Sequence, residues 1–238
     1  MSVPGPTNGN AVFDGGPLLL DGGENPGHAS MLEALTELGI GDIVLSPGDH
    51  ICAFYYGAGG RDELLIPYIA EGLRTGEKCL CFVDVADRRK MLESLRPHVA
   101  GWDSTLADEQ LAVFDFEGTY LRDGRFSQEE MFHFLDQHVG AAVRDGGFPL
   151  ARAAGEMTWA MRTCPGVEEL CAYEAKINVF APRYPQILLC LYDLERFTGE
   201  VIVDVLKTHP KVLIGNMVIE NPFYVKPDEF LARHRTAL

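Results

Sequence analysis

The stretch Ile51-Cys-Ala-Phe-Tyr-Tyr56, then Gly57-Ala-Gly-Gly60, then Leu65, Ile66, Ile69 and Leu73 decides how this chain folds. A run of aliphatic and aromatic residues after the turn signal Ser46-Pro47-Gly48 predicts a buried strand. The glycines read as a loop. The apolar residues recurring at three and four predict a helix, with Pro67 tolerated near its first turn and Gly76 where it stops. Cys79-Leu-Cys-Phe-Val83 is then the next strand, and Ala86 to His98 the next helix. That order makes parallel pairing with right-handed crossovers the simplest topology.

Outward from this core the alternation continues. Leu111 to Phe116 reads as a strand, and Ser127-Gln-Glu-Glu130 has the spacing of a capping box that opens a helix with Met131, Leu135, Val139, Ala142 and Val143 on its apolar face. Strands are expected at Leu150 to Ala154 and Ile187 to Tyr192, helices at Val167 to Phe180 and Glu195 to Lys207, and late strands at Lys211 to Ile214 and Met217 to Ile219. The expected fold is α/β: one three-layer domain over residues 42–225, a mostly parallel sheet with helices on both faces. Residues 1–41 are expected to form a mobile tail with a short helix, because residues 1–28 hold seven Gly and four Pro while Ser30-Met-Leu-Glu33 has capping-box spacing for a helix running to Gly39. The apolar pairs and triplets in that tail, Val12-Phe13 and Leu18-Leu19-Leu20, suit a docking element. Residues 226–238 read as a C-terminal tail or short helix.

The 35 acidic and 20 basic side chains give a formal charge of −15, which repels phosphate polyanions and anionic lipid. Nucleic acid and membrane are therefore not expected partners. No secretory signal precedes the domain, so a cytoplasmic location with reduced cysteines is expected, and the six cysteines carry no C-x-x-C pair. No G-x-S-x-G elbow or H-E-x-x-H motif is present, and no enzyme activity is expected.

In an open parallel sheet, ligands sit beyond the carboxyl ends of the strands. Those ends carry Tyr55, Asp84, Glu156 with Trp159, and Tyr192 with Asp193, an acidic and aromatic set. The glycine loop lacks the Gly-Lys-Ser/Thr ending of a phosphate cradle and offers Asp62 and Glu63 instead, with Arg61 able to pair with one anionic group. Glu156 with Asp193 imitates a paired-carboxylate site, and acidic strand ends also serve to orient ligands. Glu174 lies on one helix face with Val167, Leu170, Cys171, Ile177 and Asn178. A carboxylate there must be paired or neutral; the two readings are an ion pair, with Arg152 or near Lys176, and a ligand contact. His50 and Cys52 share a strand face and with Cys190 or Asp193 could bind zinc. No pair has recognised metal spacing, so no metal and no cofactor are expected.

Asp49-His-Ile-Cys-Ala-Phe-Tyr55, Glu71-Gly-Leu-Arg-Thr-Gly-Glu77, Gly155-Glu-Met-Thr-Trp159, Tyr173-Glu174 with Asn178, Cys190-Leu-Tyr-Asp193, His209-Pro210 and Asn221-Pro222 together resemble the MEDS (methanogen/methylotroph DcmR sensory) domain over about residues 46–225. The resemblance implies a degenerate relative of the RecA/KaiC-type ATPase fold, with Glu156 where an ancestral metal-holding acid lay. It implies a non-catalytic sensor of a small organic ligand such as a hydrocarbon derivative, acting on a separate regulatory protein of anti-sigma, STAS or histidine-kinase type. The ligand site expected on this basis comprises His50, Tyr55, Glu156, Trp159, Glu174, Tyr192, Asp193 and His209, in one pocket with aromatic walls. A nucleotide-binding pseudo-ATPase and a ligand-free interaction scaffold are the alternatives. Association with a second copy of the chain is left open.

Overall fold

Apolar side chains alternate along the central strands and so bury both faces of one sheet. The computed structural model describes residues 36–37, 44–107, 109–215 and 217–236. Its strands are β1 (Thr36–Glu37), β2 (Val44–Leu45), β3 (His50–Tyr55), β4 (Lys78–Val83), β5 (Leu111–Asp115), β6 (Ala151–Glu156), β7 (Gln186–Asp193), β8 (Lys211–Ile214) and β9 (Met217–Glu220). The helices are α1 (Gly57–Arg74), α2 (Val85–Leu95), α3 (Trp102–Ala107), α4 (Gln128–Arg144), α5 (Leu170–Phe180), α6 (Gly199–Thr208) and α7 (Pro227–Thr236). Seven strands form a sheet in the order β5-β4-β6-β7-β3-β8-β9. Every pairing in it is parallel except β8 with β9. All residues of β6 and β7 are buried, as central strands covered on both sides require.

Two cores follow from the alternation. On one face Cys52, Leu80, Phe82, Leu188 and Tyr192 pack against Met131, Leu135 and Val139 of α4, Tyr173 and Ile177 of α5, and Val205 of α6. On the other, Ile51, Ala53, Cys79, Cys81, Leu189 and Leu191 meet Leu65, Tyr68 and Ile69 of α1 and Met91 and Leu95 of α2. This is the expected mostly parallel sheet with helices on both faces.

Several local expectations are corrected. Gly57 to Gly60 form the first turn of α1 rather than a loop, so Pro67 falls in the middle of that helix. The helix start lies against β3: a Cβ on Gly60 would stand 3.5 Å from Tyr55 Cβ, an ordinary contact distance. Thr36–Glu37 pairs antiparallel with Val44–Leu45, where a helix was expected; the rest of the expected tail and its capping box lie outside the described residues. Within the expected tail or short helix over 226–238, Pro227–Thr236 form α7, whose Phe230 is buried against Cys171 and Ala175 of α5. The short helix α3 had no signal in the apolar spacing. Ser127 does cap α4, its hydroxyl accepting from the Glu130 backbone N–H.

The segment Glu71 to Glu77 is explained by packing. Gly76 takes a positive φ of 78° to end α1. Glu77 pairs with Arg152 of β6, which donates Nε to Oε2 at 2.7 Å and Nη2 to Oε1 at 3.2 Å, and donates Nη1 to the Tyr68 carbonyl. Gly72 leaves room for that arginine: a Cβ would stand 2.7 Å from Cys79 Sγ and 2.9 Å from Arg152 Nε. Gly72→Ala gains about 1 kcal/mol of helix propensity and loses roughly 1–3 to overpacking. Because Arg152 is pinned and cannot yield, a net loss near ~1 kcal/mol is expected in urea unfolding.

Candidate functional site

At the carboxyl edge of the sheet, β3, β6 and β7 end in Tyr55, Glu156 and Asp193, and α1 begins beside them. A helix start has unpaired N–H groups that attract an anion. Here the anion belongs to the chain: Asp193 Oδ1 accepts from the Gly57 N–H at 3.3 Å. One turn on, Arg61 is 1% exposed and lies among three carboxylates. It donates Nη1 to Asp87 at 2.6 Å and to Glu156 at 3.2 Å, and Nη2 to Asp62 at 2.8 Å. Glu156 also accepts from the Tyr55 hydroxyl at 3.3 Å and the Thr158 hydroxyl at 2.8 Å. Burial works against the Arg61 charge; the hydrogen bond to Asp87 and the Glu156 and Asp62 carboxylates outweigh it and raise its pKa. Burial, with Glu156 and Asp193 close by, pushes the Tyr55 hydroxyl up as well. The edge is thus filled by its own ion pairs.

A second constellation lies on the opposite face, beneath α5 and α6. Glu174 of α5 is fully buried and meets His50 Nε2 at 3.1 Å and His209 Nε2 at 3.4 Å, both through Oε2. Its other oxygen accepts from the Tyr192 hydroxyl at 2.7 Å. Cys190 Sγ is 3.4 Å from His50 Nε2 and 3.7 Å from Glu174 Oε2. His50 opens β3, Cys190 sits in mid-β7 and His209 follows α6, so the sheet and the helical layer over this face meet here. Burial raises the Glu174 carboxyl, but the adjoining His209 and His50 rings prevail and hold it well below the usual carboxylate range. Burial and the neighbouring His209 ring push His50 down, toward its neutral form. A carboxylate held ionised therefore faces a ring that resists its proton. Burial pushes the Cys190 thiol up.

The eight expected residues are accordingly not one pocket. His50, Glu174, Tyr192 and His209 come together on one face, and Tyr55, Glu156 and Asp193 at the carboxyl edge facing α1. Trp159 is apart from both, stacked on Tyr120 at 4.7 Å and tilted against Phe126 at 4.4 Å. The sheet itself separates the two polar groups. The expected pairing of Glu174 with Arg152 or Lys176 is also corrected: Arg152 lies on the α1 side with Glu77, and Lys176 Nζ donates to Gln128. Cys52 points its thiol to the Lys211 carbonyl, 3.8 Å away. Arg61, Asp62, Asp87, Thr158 and Cys190 join these groups from outside the eight expected residues. Arg61 is visible in the sequence as the cation beside Asp62 and Glu63, and Cys190 only as a possible zinc partner of His50 without metal spacing.

Between the sheet and helices α4 and α5 lies a small, partly enclosed cavity of about 20 Å³. Its walls include Phe82, Tyr120, Leu135, Tyr173, Ile177 and Cys190, all buried. Gly155 forms part of the wall because a Cβ there would come within 2.7 Å of the Tyr120 hydroxyl. Cys190 thus borders both this cavity and the histidine–glutamate cluster.

Residues 49–210 match the family model of the MEthanogen/methylotroph, DcmR Sensory domain, MEDS. Over 162 residues the chain is 30% identical to the transcriptional repressor DcmR of Methylorubrum extorquens, an alignment covering 68% of this chain and 58% of that protein. The chain therefore spans less than two thirds of the length of this relative. Among solved structures, a KaiC-like protein from the hyperthermophilic archaeon Pyrococcus horikoshii OT3 superposes with a TM-score of 0.52 at 12% identity, covering 75% of this chain and 79% of that one. At that identity the likeness is one of fold.

Proposed function

This chain belongs to the MEDS family of sensory domains, and from that premise we propose that it binds a small organic molecule such as a hydrocarbon derivative and conveys the bound state to a separate regulatory protein. The observation that carries this reading is the cavity beside Cys190. An apolar space holds water poorly, because water needs two to four polar partners, and takes apolar atoms instead. About 20 Å³ is little more than one water-sized sphere, so the occupant is small or the walls move to admit it. Tyr120 and Tyr173 supply the few polar groups that orient a ligand in such a site. Displacement of α4 or α5 from the sheet converts occupancy into a change of surface, since close-packed layers shift as units.

The carboxyl edge argues against the nucleotide alternative. Asp193 already occupies the helix start and Arg61 is committed to three carboxylates, so a triphosphate would meet negative charge and no free cation from this group. A charge of −15 likewise favours output through a protein partner over direct contact with DNA.

Heteronuclear NMR titration of the full chain with one- to three-carbon alcohols, thiols and haloalkanes tests the reading. At least one probe is expected to shift resonances of Tyr120, Tyr173 and Ile177 saturably. Ala153→Val projects two further carbons from the cavity wall; it is expected to abolish that response while costing no more than roughly 1–3 kcal/mol. Saturable binding that survives Ala153→Val, or no binding by any probe, would overturn the cavity as the sensing site.

A further inference from the structure

Four potential metal ligands converge beneath α5 and α6, and nothing in the sensing reading uses them together. His50, Glu174, Cys190 and His209 each present one ligand atom, and all four atoms lie within 4.8 Å of one another. Tetrahedral zinc, with bonds of about 2.0–2.1 Å to nitrogen, 2.0–2.2 Å to oxygen and 2.3 Å to sulfur, sets its ligand atoms roughly 3.3 Å apart for nitrogen and oxygen and 3.6 Å where sulfur is involved. The measured edges are 3.1 and 3.4 Å between the imidazoles and the carboxylate, and 3.4 and 3.7 Å from sulfur to His50 and Glu174.

The surrounding hydrogen bonds orient both imidazoles and the carboxylate toward a common centre. His209 Nδ1 is 2.8 Å from the Val205 carbonyl, which can only accept, so in the neutral ring, the form that binds a metal, the proton is on Nδ1 and Nε2 presents a lone pair. Asn178 donates its amide N–H to the Thr208 carbonyl at 2.7 Å, which turns its Oδ1 toward His50 Nδ1 at 3.1 Å. That oxygen also accepts, so His50 Nε2 is a lone pair as well. Tyr192 occupies Glu174 Oε1 and leaves Oε2 for the centre. Two imidazole lone pairs and a carboxylate oxygen then face one another, and His209 Nε2, fully buried, has no hydrogen-bond partner. Such an arrangement calls for a cation at its middle.

We propose that His50 Nε2, His209 Nε2, Glu174 Oε2 and Cys190 Sγ form a closed, four-coordinate zinc site. Binding takes Zn²⁺ and the Cys190 thiol to a zinc thiolate, and the thiol proton leaves to solvent. Two negative ligands and one divalent ion sum to zero, the condition under which a charge cluster can be fully buried. Borderline donors of this mixture suit zinc better than magnesium or calcium, which prefer oxygen alone. The site stands independently of the sensing cavity, and either could be filled without the other.

Elemental analysis of untagged full-length protein, made in zinc-supplemented medium, is expected to give one zinc per chain. Exchange into Co²⁺ is expected to give intense tetrahedral visible bands with a thiolate charge-transfer band in the near ultraviolet. Cys190→Ser is expected to lose the charge-transfer band, and Asn178→Ser, which removes the hydrogen bond to His50 Nδ1 but no ligand atom, to weaken metal affinity by roughly 10–100-fold. Zinc far below one equivalent, together with no cobalt spectrum on incubation of the wild-type protein, would overturn the site in favour of protons held by the histidines. So would an undiminished metal content in the double variant Cys190→Ser, His209→Gln.

Discussion

Replacing Glu77 with alanine is expected to lower the melting temperature by roughly 6–20 °C, although Glu77 touches neither polar cluster. The change strands Arg152, which has no exposure to solvent, without its carboxylate. Removing one partner of a buried pair costs about 3–5 kcal/mol, and each kcal/mol moves a domain of this size by about 2–4 °C. Arg152 keeps its hydrogen bond to the Tyr68 carbonyl, its place over the Tyr68 ring, 4.7 Å from the centroid, and the attraction of Glu71, which offset the lost carboxylate only in part. The double variant Glu77→Leu, Arg152→Met is expected to recover most of the loss, because the pair as a whole is worth little against apolar packing of similar volume. Calorimetry on the three proteins checks this. A single variant that melts with the wild type would mean that water reaches Arg152.

Arg61→Met is expected to cost a similar ~3–5 kcal/mol, for the opposite reason. The arginine is the cation common to Asp62, Asp87 and Glu156, and its loss leaves Glu156 buried with only the Tyr55 and Thr158 hydroxyls. Adding Glu156→Gln removes the stranded charge and is expected to restore at least half of the stability. Neither variant is expected to bind ATP-magnesium more tightly than about millimolar, since Asp193 still occupies the helix start. Calorimetric titration showing micromolar affinity in either would mean that the edge is a nucleotide site held shut by one side chain.

The fold was legible because its strands are dense apolar runs and its helices carry clear apolar faces; β3, β4 and β7 need nothing beyond their own residues to be read. The glycines were misread because Gly57 to Gly60 suit a loop by composition, while the packing of the helix start against Tyr55 is a tertiary fact. Glu174 stood out as a charge on an apolar face, yet its partners come from residues 50, 190 and 209, and no local spacing joins them. The same distance in sequence hid the pairing of Arg152 with Glu77. The general rule that ligands gather at strand carboxyl ends placed Tyr55, Glu156 and Asp193 together correctly. It could not foresee that an alternation of side chains would send His50 and Tyr192 to the far side of the sheet.

The tethered carboxylate at the start of α1 has a kinetic meaning. A GTPase or ATPase keeps time: its switch stays on until a bond is cut and resets when fresh nucleotide exchanges in. Asp193 can neither be cleaved nor diffuse away, so on the sensing reading proposed above this edge would store no fuel and set no clock. A device built on such a frame would track its stimulus from moment to moment and relax as soon as the stimulus is diluted.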